Sequence, residues 1–327
     1  VTSGRRWERH GVLRTVLLLG AVMSVVAVAV LDDVRFGLRR AANARSVGQA
    51  QWYGLGAEEL ARVRVARLAR ATPGRTTLGG DWNGRPFRFP VENGLIEARL
   101  SDAVGCFNLN SLVEARGDRL LRRAEGRRQF VDLLTATGWA EPRAMALAND
   151  ISDWIDSDDI PDGGAEDADY ARRATPYRTA GAMLAEVSEI RAVRGVSPEV
   201  YRRLRPWVCA LPTTDLSPIN VNTLSPDRAV LVTMLTAGKT PPAAAARLLA
   251  GRPAGGWPDV QAFWNEPEVV DYAPPSPARD QIAVRTRFFA LDAEIAFAGS
   301  RATLNSLFEL QSAGDVQLVA RRWTRDE

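Results

Sequence analysis

The sequence predicts an α+β protein, in which a long N-terminal helix packs on an antiparallel sheet and a large helical domain is inserted into that sheet. Three observations predict this class. Helix-forming residues continue from an apolar N-terminal stretch to residue 71. Alternating strand patterns occur at 75–110 and return from residue 281. Helical patterns fill most of the chain between them, which indicates a block inserted between strands of one sheet.

Composition excludes several function classes. The chain has 327 residues, 46% of them hydrophobic and 25% charged, which is typical of a folded protein of two domains. The net charge of +3 gives no global field that would demand nucleic acid. The single histidine is His10, so a Ser–His or Cys–His pair, or a histidine-based zinc site, is nearly excluded for the body of the chain.

The N-terminal segment is first basic and then apolar. Arg5, Arg6 and Arg9 precede a stretch from Val16 to Leu31 that is apolar except for one serine. Counted from Val12, the stretch reaches 20 residues, which is about the length needed to span a bilayer core. The basic side should stay in the cytoplasm and the rest should be exported.

Three interpretations of this segment compete. It is a secretory signal peptide cleaved near 27–29, an uncleaved anchor, or a prepilin leader cut between Gly11 and Val12. The helical pattern continues directly from the apolar stretch and ends only at Thr72-Pro73-Gly74, with apolar positions that include Leu55, Leu60, Val63 and Leu68. This continuity favours the leader, because the apolar half can then bundle with neighbouring subunits while the second half packs on the head.

The elements of the head follow in order. Strands are expected at Thr76–Leu78, Phe87–Phe89 and Leu95–Leu100, with hairpin turns at Asn83-Gly84 and Asn93-Gly94. Helices are expected at Arg116–Thr137, Pro142–Ile155, Met183–Val193, Pro198–Trp207 and twice within 223–250. After Pro-rich loops between Pro253 and Pro277, strands are expected at Gln281–Phe297, Ala302–Leu310 and Val316–Trp323. The predicted organisation is a leader (1–11), a transmembrane half-helix (12–31), helix and first strands (32–110), the inserted helical domain (111–280) and returning strands (281–327).

An acidic segment is the sharpest chemical feature. It carries nine carboxylates and no Lys or Arg: Asp150, Asp153, Asp156, Asp158, Asp159, Asp162, Glu166, Asp167 and Asp169. Such crowding is repulsive unless a cation neutralises it, and calcium binds six to eight oxygen ligands. The spacing is not that of an EF-hand. We expect calcium ligands among Asp156, Asp158, Asp159, Asp162, Glu166, Asp167 and Asp169. The alternative is a solvated loop with helix caps, although the apolar neighbours Ile151, Trp154, Ile155 and Ile160 tie the segment to a core.

Two segments resemble helix-hairpin-helix units. Glu189–Tyr201 has the pattern helix, glycine turn, helix, and a weaker version begins at Ile219–Thr223. The turn amides of such a motif can bind a DNA phosphate, which leaves a membrane-anchored DNA-binding protein of an uptake machinery as the alternative function. The other interpretation is a compact packing unit. No exposed basic stripe with aromatic residues accompanies the motif, so nucleic acid is not the expected partner.

The two cysteines leave one question open. Cys106 and Cys209 are far apart in sequence and form no metal-binding motif. In an oxidising compartment they would pair as a disulfide, whereas in a reducing one they would be two small core residues.

Several short motifs occur in the order that is typical of one known family. They are Asp102–Leu112, with its Asn-Leu-Asn-x-Leu core; the acidic signature Asp153–Tyr170; Pro176-Tyr177-Arg178; Ser188-Glu189-Ile190 with Ala210-Leu211-Pro212; and Ile219–Thr223. Together they resemble the K-type minor pseudopilin of type II secretion, general secretion pathway protein K. The match covers nearly the whole chain.

This resemblance implies a fold and a function. The fold would be a pilin-like head with an inserted helical domain, and the subunit would bind calcium and not act as an enzyme. It would lie at the pseudopilus tip with the I-type and J-type minor pseudopilins, in contact with other pseudopilins and the inner-membrane assembly platform. Prepilin peptidase would process the leader after Gly11 and the new N-terminus would be methylated. The protein would cross the bacterial inner membrane once with its head in the periplasm. The fifth mature position is Val16, where most pilins have Glu and K-type subunits lack it, while Arg14 departs from the usual apolar start.

Overall fold

A computed structural model of the chain describes residues 4–80, 82–272, 279–311 and 314–324, with side chains from residue 14 onward. The helices, in chain order, are α1 (Gly4–Ala71), α2 (Ala124–Ala136), α3 (Glu141–Ile155), α4 (Asp167–Tyr170), α5 (Pro198–Leu204), α6 (Val230–Leu235), α7 (Pro242–Ala250) and α8 (Val260–Trp264). Short 3₁₀ turns occur at Leu109–Leu112, Val187–Ala192 and Pro226–Arg228.

The strands, in chain order, are β1 (Pro86–Val91), β2 (Gly94–Asp102), β3 (Phe107–Asn108), β4 (Val113–Arg116), β5 (Arg119–Arg122), β6 (Val208–Cys209), β7 (Ile219–Asn220), β8 (Ile282–Ala283), β9 (Phe288–Phe297), β10 (Ser300–Leu310) and β11 (Val316–Arg322). Within the described residues, five of them form one antiparallel sheet in the order β1-β2-β9-β10-β11. The long N-terminal helix, the antiparallel sheet and the helical domain confirm the predicted fold class.

Helix α1 is one continuous element of 68 residues, about 100 Å long at 1.5 Å per residue. Its second half packs on the sheet through small residues, namely Ala50, Ala57, Ala61 and Val65, which are all buried against the apolar face of β2, β9 and β10. Alanine lets the helix axis approach the sheet closely.

Three of the larger apolar residues of this half do not pack on the sheet. Leu60 and Val63 are exposed, and so is Trp52, which is 71% exposed. The helical pattern was therefore predicted correctly, but the packed face is defined by the small residues of α1. Among the larger residues, Tyr53 and Leu68 are partly buried against this core.

The helical domain is inserted where β2 ends and before β9 begins. These two strands are neighbours in the sheet, and Asp102 pairs with Phe289 at the end of the strands where the domain is inserted. The domain has its own core, separate from the core beneath α1, built around residues such as Phe107, Phe130 and Trp257. A disulfide between Cys106 and Cys209 joins the segments that carry β3 and β6 at the base of the domain.

Several predicted elements differ in the structure. The helix expected from Arg116 begins only at Ala124, because the hairpin β4–β5 occupies the residues before it. Asn83-Gly84 is not a hairpin turn: Asn83 forms an isolated bridge with Leu100, and its side chain accepts a hydrogen bond from the Asp102 amide. No strand forms at Thr76–Leu78, and the loop between Pro253 and Pro277 contains α8 in the part that the structure describes.

The helix-hairpin-helix interpretation is not confirmed. The first segment has a 3₁₀ turn where a helix was expected, then Gly195 with φ +79°, then the seven-residue α5, which ends at Leu204 and not at Trp207. The second segment begins with the short strand β7. Both units pack into the core of the domain through residues such as Ile190 and Ile219.

Candidate metal centre

Three buried carboxylates converge at the end of α3. Asp153 lies in the last turn of α3, and Asp156 is the residue that directly follows the helix. Glu166 is the residue that directly precedes α4. One oxygen from each of the three lies within 4.8 Å of the others, and all three residues are less than 2% exposed.

Backbone amides of the loop between α3 and α4 hold this loop against α3. The amides of Asp162 and Gly164 both donate to Oδ2 of Asp153, each at 3.0 Å. A Cβ atom on Gly164 would lie 2.6 Å from this same oxygen and 2.6 Å from the carbonyl oxygen of Asn149. Only glycine permits this close approach, which holds Glu166 over the two aspartates.

The carboxylates of Asp156 and Glu166 have too few well-placed hydrogen-bond donors. All four oxygens are buried, and none accepts a hydrogen bond from the described residues. Leaving a buried carboxylate without a donor costs free energy. A nearby compensating cation is Arg122 of β5, with Nε 3.2 Å from Oδ2 of Asp156 and Nη1 3.3 Å from Oδ1 of Asp153.

The pKa values of the cluster reflect this shortage of positive charge. Burial, then repulsion from Asp158, raises the pKa of Asp156 to about 7. Burial, then repulsion from Asp156 and Asp153, raises the pKa of Glu166 to about 8. Burial also raises the pKa of Asp153, although Arg122 opposes the shift. A divalent cation would reverse these effects because it stabilises the ionised forms.

The donor set fits a hard cation. Three carboxylate oxygens at mutual distances below 4.8 Å, with unpaired oxygens on two of them, are the ligands that calcium prefers. Calcium could then link the end of α3 to the start of α4 through Asp156 and Glu166.

Of the seven residues expected as ligands, the structure brings Asp156 and Glu166 together. Asp153, which was not among the seven, is the third member of the cluster. The sequence contained a signal for it, because Asp153 lies in the last turn of a predicted helix and Asp156 directly follows that helix, three residues later.

The other expected ligands have different surroundings. Oδ1 of Asp158 accepts a hydrogen bond from the amide of Ile160, and Asp159 is exposed at the surface of the loop. Both still lie near enough to add to the repulsion on Glu166. Asp162 is 60% exposed and pairs with Arg122 at 2.9 Å.

Asp167 and Asp169 point away from the cluster. Oδ1 of Asp167 accepts hydrogen bonds from the amide and hydroxyl of Thr179, at 2.9 and 3.0 Å. Asp169 pairs with Arg172 at 2.7 Å, which lowers its pKa. These two residues stabilise the start of α4 and the following loop.

The apolar stretch of α1 does not pack against the rest of the described protein. From Val16 to Leu31 the large side chains are more than half exposed, and none of the stretch is buried in the protein. Among the described residues, α1 is the one helix with a segment long and apolar enough to cross a membrane.

Comparison with known proteins places these features in one family. Two models of "Type II secretion system (T2SS), protein K" match residues 105–213 and 219–285. The type II secretion system protein K of Pectobacterium carotovorum subsp. carotovorum is 34% identical over 98% of this chain and 97% of that protein. The protein of the same name from Klebsiella pneumoniae is 34% identical over 98% and 99%.

A solved structure supports membership of the same family. A chain in the crystal structure of the GspK–GspI–GspJ complex from enterotoxigenic Escherichia coli superposes with a TM-score of 0.76 and 29% identity, over 88% of this chain and 99% of that one. The exposed apolar half of α1 and the inserted helical domain agree with these similarities. The chain therefore belongs to the protein K family of the type II secretion system, the K-type minor pseudopilins.

Proposed function

We propose that this chain is a minor pseudopilin at the tip of the type II secretion pseudopilus, where it helps to initiate assembly and the export of folded periplasmic proteins. The observation that carries the proposal is the division of α1 into two halves. Its first half exposes apolar side chains that are not buried against any part of the chain that the structure describes, and its second half is fixed to the sheet. A subunit built in this way can leave the bilayer without a change in its own fold, because its head does not depend on the apolar half.

The proposed location follows from the same helix. The apolar stretch crosses the inner membrane once and the head lies in the periplasm, where the disulfide between Cys106 and Cys209 is stable. Prepilin peptidase cuts between Gly11 and Val12, and Val12 becomes the methylated N-terminus. Mass spectrometry of the N-terminal peptide from native membranes tests this step, and a mature chain that begins after Ala29 would contradict it.

Calcium has a structural role in this proposal. Asp153, Asp156 and Glu166 hold the ion, which supplies the positive charge that Arg122 alone does not. The bound ion fixes the loop between α3 and α4 and so defines one surface of the helical domain. We propose no catalytic step for this site, since its family is a structural component of the secretion apparatus.

The proposed partners are the I-type and J-type minor pseudopilins, other pseudopilins and the inner-membrane assembly platform. The structural neighbour was crystallised in a complex with GspI and GspJ, which supports the first two. Exposed Trp52, Leu60 and Val63 give the packed half of α1 an apolar surface for such contacts.

The test is genetic. Deletion of the chain should stop secretion of exoproteins while folded, active exoproteins accumulate in the periplasm. Complementation with the full chain should restore secretion. Normal secretion in the deletion strain would contradict the proposal.

A second candidate, DNA binding by the hairpin-like segments, has less support. Arg194 in the first segment pairs with Asp150 at 2.5 Å and is therefore engaged within the domain. Absence of duplex binding at low salt would exclude this candidate, because phosphate contacts are strongest there.

A further inference from the structure

A cavity lies where the end of β2 meets the segment that connects α5 to β6. Its volume is about 300 Å³, and it is open to solvent. Residues within 102–106 and 205–208 line it, together with Arg228 of the last 3₁₀ turn. Two of the lining residues are arginines, Arg205 and Arg228, and we call this site the arginine cavity.

The two segments that line the arginine cavity are tied to each other. Cys106 of the first segment forms the disulfide with Cys209, which directly follows the second. The amide of Phe107 also donates a hydrogen bond to the carbonyl oxygen of Trp207 at 2.8 Å. The cavity is therefore built into the fold, and a ligand would not have to organise it on binding, which reduces the entropic cost.

The charged residues of the lining give the cavity an excess of positive charge. Arg205 and Arg228 are both half-buried. Asp102 is the one carboxylate among the lining residues, and its Oδ2 already accepts hydrogen bonds from the hydroxyl groups of Thr223 and Thr286. Two guanidinium groups thus share the cavity with a single carboxylate that has donors of its own.

Arg228 has no anionic partner in the part of the chain that the structure describes. Its guanidinium carbon lies 5.4 Å from the centre of the Trp207 ring, and no described carboxylate lies within ion-pair distance of it. The ring positions the guanidinium group but accepts none of its charge-assisted hydrogen bonds. An anion in the cavity would supply acceptors for these N–H groups, and such hydrogen bonds are stronger than those between neutral groups.

Two consecutive backbone amides at the cavity are also available to a ligand. The amides of Gly105 and Cys106 donate to no acceptor among the described residues, whereas the amides directly before and after them do. Both residues line the cavity. Successive amides without internal acceptors are a common component of anion-binding loops.

The remaining lining residues are apolar and favour one kind of anion. Ala103, Pro206 and Val208 would contact the carbon atoms of an organic anion, whereas inorganic phosphate offers them nothing to pack against. The volume is at the small end for a ligand site and is enough for about one side chain.

We infer that the arginine cavity binds a carboxylate group presented by a partner protein, with Arg205 and Arg228 as the cations that hold it. The carboxylate belongs either to an acidic side chain or to a chain terminus, since both offer the same oxygens on a carbon chain. This inference deepens the proposed function and rests on it, because it gives the chemistry of one contact in the secretion apparatus.

Saturation-transfer difference NMR of the full-length protein in detergent tests the inference. N-acetylglutamate N-methylamide and its glutamine analogue are one pair of probes, and N-acetylalanine and its N-methylamide are the other. We expect the carboxylate member of at least one pair to bind at least about fivefold more tightly than its neutral partner. The pair that shows the preference distinguishes a side-chain carboxylate from a terminal one.

Equal binding within both pairs would overturn the inference. So would tighter binding of inorganic phosphate than of either carboxylate probe, because the apolar lining would then play no part.

Three variants locate the binding site. Arg228→Gln should bind the charged and neutral probes equally. Arg203→Gln is the matched control, because Arg203 also lies over a tryptophan ring, that of Trp139 at 4.0 Å, but does not line the cavity. It should keep the wild-type preference. Pro206→Glu places a carboxylate at an exposed position of the lining and should weaken binding of the carboxylate probes by competition, with both arginines intact.

An unchanged preference in Arg228→Gln would overturn the inference, as would the same loss in Arg203→Gln. If Arg228→Gln does not fold, Pro206→Glu decides, and undiminished carboxylate binding in that variant would overturn the inference.

Secretion assays keep the failure of the two proposals apart. Normal secretion by the deletion strain would contradict the proposed function, whatever the purified protein binds. If the wild-type chain restores secretion in that strain but the purified protein shows no preference for the carboxylate probes, only the carboxylate inference fails.

Discussion

Nε of Arg122 lies 3.2 Å from Oδ2 of Asp156, so an arginine from the hairpin β4–β5 reaches the centre of the acidic cluster. The same guanidinium contacts Asp153 at 3.3 Å and Asp162 at 2.9 Å. The acidic segment contains no cation of its own, and this residue, 31 positions before Asp153, supplies one. Arg122 therefore stabilises the cluster when no metal is bound.

Replacement of Arg122 tests this role. Arg122→Gln should lower the melting temperature of the protein in chelator more than in calcium, because the ion can replace the lost positive charge. The shift in melting temperature caused by calcium should therefore increase. Differential scanning fluorimetry measures both conditions. Arg119→Gln, an exposed change on the same strand, is the control and should leave the calcium shift unchanged. A calcium shift in Arg122→Gln no larger than in wild type would contradict this role.

Replacement of Glu166 tests the metal site itself. Glu166→Gln removes one of three ligands and should reduce or abolish the calcium-induced rise in melting temperature. In chelator the same variant should be more stable than wild type, because a buried, unpaired carboxylate and its repulsion with Asp156 are removed.

This pair of opposite effects distinguishes a metal ligand from a packing residue, which would be destabilised in both conditions. Asp118→Asn, an exposed carboxylate in the turn of the hairpin, is the control. An unaltered response of Glu166→Gln to calcium would contradict the proposed site.

The contact between α1 and the sheet should depend on pH. Glu58 is buried, which raises its pKa, but hydrogen bonds from Arg321 and Ser306 outweigh burial and hold the pKa below its usual 4.5. A carboxyl group with a lowered pKa contributes stability above its unfolded pKa and loses it as the pH falls through the folded pKa.

Glu58→Gln should therefore lower the free energy of unfolding by about 1 to 2 kcal/mol at pH 7, and the difference from wild type should disappear well below pH 4. The range is at the low end for a charged hydrogen bond because Arg321 is 40% exposed. Urea unfolding across pH measures it. Glu59→Gln, one residue along and exposed, should leave the free energy of unfolding nearly unchanged, because its ion pair with Arg62 lies in solvent. Equal effects of the two changes would contradict the role of Glu58.

The disulfide should stabilise the helical domain. Cys106 and Cys209 are separated by 103 residues, and closing a loop of this length removes much conformational freedom from the unfolded chain. The chain-entropy argument gives about 4 to 5 kcal/mol. The double variant C106A/C209A, or the wild type under reducing conditions, should melt at a lower temperature, while reductant should not affect the variant. Identical melting of the oxidised and reduced wild type would contradict the expectation.

The fold could be predicted largely because its strongest signals are local. The pattern of α1, the turn at Asn93-Gly94 and the strands from β9 to β11 depend on residues close in sequence. The hairpin β4–β5 was missed because the segment from Val113 to Arg122 has no turn signal stronger than Gly117, whose φ is +64°. The buried face of α1 was not identified, because alanines carry a weak hydrophobic signal although they pack best against a sheet.

The buried acidic cluster was predictable as a region but not residue by residue. Nine carboxylates in a short segment indicate a cation, yet burial selects among them, and burial depends on tertiary contacts. Gly164 allows the loop to approach Asp153, and Arg122 belongs to the hairpin β4–β5, which was not predicted from the sequence. Neither relationship is encoded by spacing within the acidic segment.

The helical domain leaves the sheet at Asp102 and returns near Phe289, two residues that face each other on adjacent strands. Adjacent strands are about 4.8 Å apart, so the sheet needs no more than a short connection at this edge to remain intact. Evolution can therefore enlarge, shorten or reshape this domain without altering the scaffold that carries α1.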